Sequence, residues 1–325
     1  MQNPSLTILL PAHNAARTIS EAIESVLKQT YQDFELWVLE NGSTDETAEI
    51  AKAYMGRDSR VKVFELGPVG FQGALTWGLT NSRSEFLARM DADDIALPER
   101  LSRQIQVFAE YPSIILCGTN SVSLTPFNHV IERKAPYIRS RLITKRHFSW
   151  GEEYKPRYFA DPSAVFRRCA AIACGGYDEE FELGDISLWI RMLVNGTAYE
   201  IAEPLLIYRL TFSSMSKNPR FGRNAMRLRA KYGLAIPSNF DGDRADLVST
   251  VRAESAFWLQ TALIEFMSKQ LQAGFRAVHR AACAEPHGGK TKHIVLSLAR
   301  ILRKTYLLKL SGTRYLRRPD LESYI

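Results

Sequence analysis

Phe86-Leu87-Ala88-Arg89-Met90-Asp91-Ala92-Asp93-Asp94 is an apolar run that ends in three carboxylates within four residues. Phe86, Leu87, Ala88 and Met90 predict a buried strand. If extension carries past Met90, Asp91 and Asp93 project to one side, because alternate side chains of a strand share a face. Two acids aimed at one point call for a cation. The competing reading is a cap for the next helix, where Pro98 suits the first turn and Leu101, Ile105 and Phe108 form an apolar stripe. A cap accounts for one carboxylate and hardly for three.

Upstream, strands and helices alternate. Ser5 to Leu10 is a strand that stops at Pro11-Ala12-His13-Asn14, and Ile19, Ala22, Ile23, Val26 and Leu27 keep helical spacing behind it. Phe34 to Leu39 is a second strand, ending in Glu40-Asn41-Gly42-Ser43-Thr44-Asp45-Glu46, where Ser43 and Glu46 predict a capping box before a helix over 45–55. Val61 to Phe64 is a third strand, followed by Gly67, Gly70 and Gly73 and a helix through about Leu79. That glycine spacing is not the dinucleotide fingerprint, so a nicotinamide site is excluded. A helix over 98–110 and a strand over 114–117 continue the alternation. It predicts an α/β fold with a mostly parallel central sheet and helices on both faces. Ligands bind such sheets at the carboxyl ends of the strands. Three polar clusters, Pro11 to Asn14, Glu40 to Asp45 and Asp91 to Asp94, therefore share one rim.

Downstream the pattern loosens over 119–160, where irregular strands are expected. Order returns at Asp161 to Arg168 as a short strand and a helix, then Gly175-Gly176-Tyr177-Asp178, then Asp185 ahead of a helix through Leu188, Trp189 and Leu193. Residues 199–210 read as strands broken at Pro204. Beyond Lys217 the chain reads as basic helices, among them 256–267. Residues 301–318 fit an interfacial helix or a helix packed on the core with a basic outer face.

Charge divides the chain at the same point. Residues 1–216 hold 22 Lys+Arg against 27 Asp+Glu, and residues 217–325 hold 20 against 8. The second part suits anionic lipid, polyanionic carbohydrate or nucleic acid, or is simply a solvated face. Cys117, Cys169, Cys174 and Cys283 are widely spaced without a CxxC pair, which excludes a zinc ribbon or disulfide scaffold and fits a reducing compartment. No apolar run is long enough to span a bilayer and no signal pattern opens the chain, so the expected location is cytoplasmic, with room for peripheral attachment to the inner face of the cell membrane.

Taken in order, these pieces resemble glycosyltransferase family 2. Pro11-Ala12-His13-Asn14 is similar to that family's PAYN, Glu40 to Asp45 to its DDGSTD, and Met90 to Asp94 with Pro98 to its DADD…P. Gly175 to Asp178 and Asp185…Leu188-Trp189 are similar to its GGYDE and ED…LW. The resemblance covers residues 4–216. It implies a GT-A catalytic domain over 1–216, with 217–325 as a basic, mainly α-helical C-terminal region for acceptor, membrane or oligomer contacts.

The implied reaction is transfer of a sugar from a nucleotide-sugar to an acceptor hydroxyl with inversion, assisted by Mn²⁺ or Mg²⁺. By this resemblance Asp93 is the main metal ligand, Asp91 is shared between ribose and metal, and Asp185 is the general base. Glu40 accepts from the uracil ring. Pro11, Ala12, Asn14 and Gly70 line the nucleotide, Arg209 holds the diphosphate, and Gly176, Tyr177 and Trp189 lie on the acceptor side. The acceptor is a carbohydrate or lipid-linked saccharide. Nucleic acid is not an expected partner, and a homo-oligomer is left open.

Departures from the family pattern matter to the chemistry. Glu40 stands where the family has Asp, Pro68 replaces an Asn, and Gly184 and Ser187 replace acids beside Asp185, which predicts a milder rise of its pKa. Thr211 stands where many members carry a metal- or diphosphate-binding His. These changes leave a second hypothesis, a nucleotide-sugar-binding partner without turnover. A nucleotidyltransferase is disfavoured by the lack of a glycine- and lysine-rich phosphate loop near the first strand.

Overall fold

The structure is a computed structural model that describes residues 5–133, 140–143, 161–178, 184–211, 231, 258, 261–262, 271–283 and 315–317. Its first half alternates β1 (Leu6–Ala12), α1 (Ile19–Leu27), β2 (Phe34–Glu40), α2 (Thr47–Met55), β3 (Val61–Glu65), α3 (Gly70–Asn81) and β4 (Phe86–Arg89). A two-residue strand, β5 (Ile95–Ala96), precedes α4 (Arg100–Glu110). Then come β6 (Ile114–Leu124), β7 (Val130–Arg133), β8 (Arg141–Ile143), β9 (Val165–Arg167), α5 (Arg168–Ala173), α6 (Gly184–Asn195) and β10 (Thr197–Arg209). The described part of the C-terminal region holds α7 (Leu271–Cys283) and β11 (Tyr315–Arg317).

Among the described residues all the strands join one sheet, whose main path is β11-β7-β6-β9-β4-β1-β2-β3, with β10 against β5, β6 and β8. β4, β1, β2 and β3 run parallel, and β9 is antiparallel to both β4 and β6. The expected α/β architecture is therefore present. Burial on both faces explains the continuous apolar strands. Leu6, Ile8 and Leu10 belong to a cluster with Ile19, Ile23 and Val26 of α1, while Leu9 points to the opposite cluster with Leu75 and Leu79 of α3 and Leu188 of α6. Gly78 lets α3 lie close to the sheet, since a Cβ there would stand 2.8 Å from a methyl of Leu9 and 3.0 Å from one of Leu39.

Several local expectations are corrected. The acidic stretch is not an extension of β4. The strand ends at Arg89 and the chain turns, with Asp94 N–H reaching Asp91 O at 3.3 Å. The Ser43–Glu46 capping box does not form. Glu46 is at the N-cap of α2 without a side-chain bond, and Asp45 accepts the Thr47 N–H at 3.1 Å instead. Pro98 precedes α4 rather than entering its first turn, and its carbonyl accepts the Thr30 N–H at 2.9 Å. β6 runs seven residues beyond Cys117. β10 passes through Pro204 as one strand, with register shifts on either side of that residue that accommodate its missing N–H. β5 was not legible.

In the C-terminal region the Tyr315–Arg317 segment, expected at the end of a helix, is a strand antiparallel to β7. It carries the sheet into the part of the chain expected to be helical. Most of the helix expected over 256–267, and the Ser213 to Ser216 loop, lie outside the described residues.

Candidate active site

Parallel register brings the carboxyl ends of three strands to one rim. Ala12 is level with Glu40 across β1 and β2, and Leu9 is level with Arg89 across β1 and β4. Met90 N–H then reaches Leu9 O at 3.1 Å, which sets the acidic turn beside Pro11. Pro11, Ala12, Glu40 and Asp91 thus come together by backbone pairing alone.

The β1 and β2 ends hold each other. Asn14 is left-handed (φ 50°). Its N–H donates to Ser43 Oγ at 3.1 Å, and its Oδ1 accepts the Thr44 N–H at 2.9 Å. Glu40 is buried, and Oε1 accepts the Ser43 N–H at 2.5 Å. Burial works against its charge, but donors from Ser43 and Gly42 outweigh that, and its carboxyl lies below the ordinary value. Glu40 is thus an ionised acceptor in a buried setting. Asn41 Oδ1 accepts the Gly70 N–H at 2.9 Å, which fixes the start of α3 against the same rim.

Asp91, Asp93 and Asp94 can each bring one oxygen within 4.8 Å of the others. An all-oxygen donor set of this size fits Mg²⁺ or Mn²⁺, which are commonly held by one or two carboxylates together with substrate phosphates. Burial, then the charge of Asp91, pushes Asp93 up to about 6. Asp94 is fully buried and is pushed well above the ordinary carboxylate value by the same two causes. Its Oδ1 accepts the Arg209 N–H at 2.8 Å. Asp94 thereby holds β10 to the turn. The Arg209 side chain serves the turn as well, donating from Nε to Asp93 O at 2.8 Å and pairing with Glu21. Thr211 Oγ1, where the family's His would stand, is buried and has no hydrogen-bond partner among the described residues.

Gly176 and Tyr177 belong to the loop after α5, and Asp185 and Trp189 to α6. Gly175 and Gly176 are both left-handed (φ 87° and 66°), a conformation that places Tyr177 inward. Arg191 of α6 grips this loop, with Nη2 donating to Gly176 O at 2.5 Å. Tyr177 is 5% exposed, and its hydroxyl has no partner among the described residues. Asp185 is in the first turn of α6. Burial, and next the charge of Asp161, pushes its carboxyl up to about 8. The rise is large despite Gly184 and Ser187. The missing sequence neighbours are replaced in space by an acid 24 positions earlier.

Sequence reading missed two residues of this site. Arg89 is fully buried and pairs with Asp91 at 2.6 Å and with Asp161 at 2.9 Å. Trp189 Nε1 donates to the other oxygen of Asp161 at 2.9 Å. Arg89 carried a signal, since a cation inside an apolar run must find counter-charges. Asp161 gave none that separates it from a loop residue.

Residues 7–173 match the family described as glycosyl transferase family 2. The chain belongs to that family. Its members are glycosyltransferases, and the chain is an enzyme of that class. One relative of the family 2 chain is the Escherichia coli O-antigen biosynthesis glycosyltransferase WbnJ, 30% identical over 219 residues that cover 66% of this chain and 82% of WbnJ. Among solved structures, S. aureus TarS 1-349 in complex with UDP-GlcNAc is similar with a TM-score of 0.56 at 16% identity, over 94% of this chain and 92% of that one. The mannosyltransferase PcManGT from Pyrobaculum calidifontis, in complex with GDP-Man and Mn²⁺, is similar with a TM-score of 0.55 at 16% identity, over 95% and 84%. These similarities confirm the GT-A fold of this family 2 chain. Among its described residues no helix is long and apolar enough to cross a membrane.

Proposed function

We propose that this enzyme transfers a sugar from a UDP-sugar to an acceptor hydroxyl, with inversion at the anomeric carbon, in the synthesis of a bacterial surface polysaccharide or lipid-linked oligosaccharide. The observation that carries the reading is the link between two acidic groups through Arg89 and Asp161: the Asp91–Asp94 turn, paired with Arg89, and Asp185, whose carboxyl feels the charge of Asp161. The acidic turn would hold a divalent ion that, when bound with the donor, would supply positive charge to the leaving diphosphate. Asp93 is its main ligand and Asp91 is shared with the ribose. Glu40, ionised and buried, accepts an N–H from the base. Pro11, Ala12, Asn14 and Gly70 line the nucleoside, and Arg209 steadies the diphosphate end.

Asp185 takes the proton of the acceptor hydroxyl, which is too weak an acid to ionise by itself at neutral pH. Gly176, Tyr177 and Trp189 shape the acceptor side. The polysaccharide context is supported by the O-antigen role in the name of WbnJ. The basic region 217–325 makes peripheral contact with anionic membrane, which keeps the enzyme at the cytoplasmic face beside a lipid-linked acceptor.

The test separates donor binding from chemistry. Asp93→Ala is expected to abolish turnover and Mn²⁺-dependent UDP binding. Asp185→Asn is expected to abolish turnover and keep UDP binding within a few-fold of wild type. Isothermal titration and donor-turnover assays on both variants decide it, and equal loss of UDP affinity in both refutes this division of roles.

A further inference from the structure

Arg89 is among the largest fully buried side chains of the molecule, and it stands in a strand whose other side chains are apolar. Its guanidinium is saturated by charge. Nη2 meets Asp91 Oδ1 at 2.6 Å and Asp161 Oδ2 at 2.9 Å, Nε meets Asp161 Oδ2 at 3.0 Å, and Nη1 donates to Met90 O at 3.1 Å. The Phe71 ring covers it at 5.1 Å. Asp161 is itself held by a short turn, with Ala164 N–H reaching Asp161 O at 2.9 Å and Arg89 N–H reaching Ala164 O at 2.8 Å. Its second carboxylate oxygen accepts from Trp189, one helical turn beyond Asp185 on α6. An unbroken chain of charge-assisted bonds therefore runs from the acidic turn to the helix that carries Asp185.

Such a buried ion triad is poorly explained by stability. Apolar side chains of similar volume often do as well or better, because desolvating three charges offsets their attraction. The groups at its two ends suggest orientation instead. With one carboxylate on each side, Arg89 does not need Asp91 wholly to itself.

We propose that Arg89 and Asp161 are positioning residues for the transfer: Asp161 balances Arg89 so that Asp91 stays available to the divalent ion, and through Trp189 it fixes the turn of α6 that presents Asp185. This rests on the metal-dependent glycosyltransferase reading above. Asp161→Asn removes one of the two charges on Arg89 and keeps an acceptor for Trp189. Arg89 then competes with the ion for Asp91. Trp189→Phe leaves both ion pairs in place and loosens only the link to α6.

The experiment is a Mn²⁺ titration of the full chain in the presence of UDP, followed by electron paramagnetic resonance, with donor turnover and Tm measured alongside. Asp161→Asn is expected to weaken Mn²⁺ about 10- to 100-fold, as loss of groups behind metal ligands does, with Tm little changed. Trp189→Phe is expected to lower kcat with Mn²⁺ affinity unchanged. A purely structural Asp161 would move Tm and leave Mn²⁺ affinity alone, and unchanged affinity in a folded Asp161→Asn overturns the proposal. So does an equal loss in Trp189→Phe. Should Asp161→Asn fail to fold, Arg89→Lys replaces it. A single ammonium lacks the fork that serves both carboxylates, so Mn²⁺ binding must weaken there, and wild-type affinity overturns the proposal. Wild-type protein that binds UDP without any Mn²⁺ defeats the metal-dependent reading as well, whereas normal wild-type binding with unaltered variants defeats the bridge alone.

Discussion

Replacing the proposed base should make the protein more stable. Burial, and then Asp161, hold the Asp185 carboxyl up at about 8, against about 3.9 in an unfolded chain. Between pH 4 and pH 8 the unfolded chain therefore gives up this proton while the folded one keeps it, so stability falls as pH rises through that window and levels off above it. At pH 7 the gap is about three pH units at about 1.4 kcal/mol each, a ceiling of about 4 kcal/mol. Relaxation of the site and entry of water reduce such penalties, so Asp185→Asn is expected to gain about 2 kcal/mol. At about 2–4 °C per kcal/mol for domains of 150–250 residues, Tm should rise by several degrees. The assay is urea unfolding with EDTA at pH 7.5 and pH 4.5. The gain should be present at the first pH and nearly gone at the second. Equal stability of variant and wild type at pH 7.5 would show that Asp185 ionises freely in the folded protein, and the argument from burial and Asp161 would fail.

The same shift predicts that kcat/KM for the donor climbs with pH toward an ionisation near 8, because only the ionised base accepts a proton; a profile already flat above pH 6 contradicts it. Gln29 is buried, donates to Leu97 O at 2.7 Å and accepts the Leu101 N–H at 3.0 Å. Gln29→Ala leaves the Leu101 N–H unpaired, while Leu97 O keeps the Arg100 N–H at 3.0 Å, and chemical denaturation should show a loss of about 1–3 kcal/mol. Vesicle co-sedimentation should favour anionic over zwitterionic lipid and weaken as salt is raised from 50 to 500 mM. Equal binding to both lipids removes the electrostatic account of the basic region.

The fold was readable wherever one physical cause dominated. The strands β1, β2 and β4 are buried on both faces, so most of their residues are apolar, and α1 and α4 carry stripes at helical spacing. Elements with mixed causes were not readable. β5 is two residues long and exists because Leu206 and Ile207 of β10 pair with it. β10 keeps Pro204 because register shifts absorb it. The capping box failed because Ser43 is engaged by Asn14 and Glu40, which are 29 and 3 residues away. The carboxyl ends of β1, β2 and β4 share one rim, as the alternation predicted. The face argument for Asp91 and Asp93 was nevertheless wrong in its geometry, since a turn and not an extended strand brings their oxygens close. Asp161 was invisible because its meaning lies in Arg89 and Trp189, neither of which is near it in sequence.

The charges of the cleft do not balance locally, and this bears on how it works. Asp91, Asp93, Asp94, Asp161 and Asp185 share the region with Arg89, Arg100 and Arg209. Arg100 is buried and, with Arg89 beside it, held down to about 10. It spends Nη2 on Arg89 O at 2.6 Å rather than on a carboxylate. Burial, and after it the neighbouring acids, push these groups up: Asp93 to about 6, Asp185 to about 8, and Asp94 well above the ordinary carboxylate value. A cation arriving at Asp91 and Asp93 favours the ionised form of each acid that faces it. On the proposed function, metal affinity and the ionisation of Asp185 are then linked through one electrostatic field. The stability withheld by the buried acids in the free protein is the counterpart of a site ready to receive positive charge.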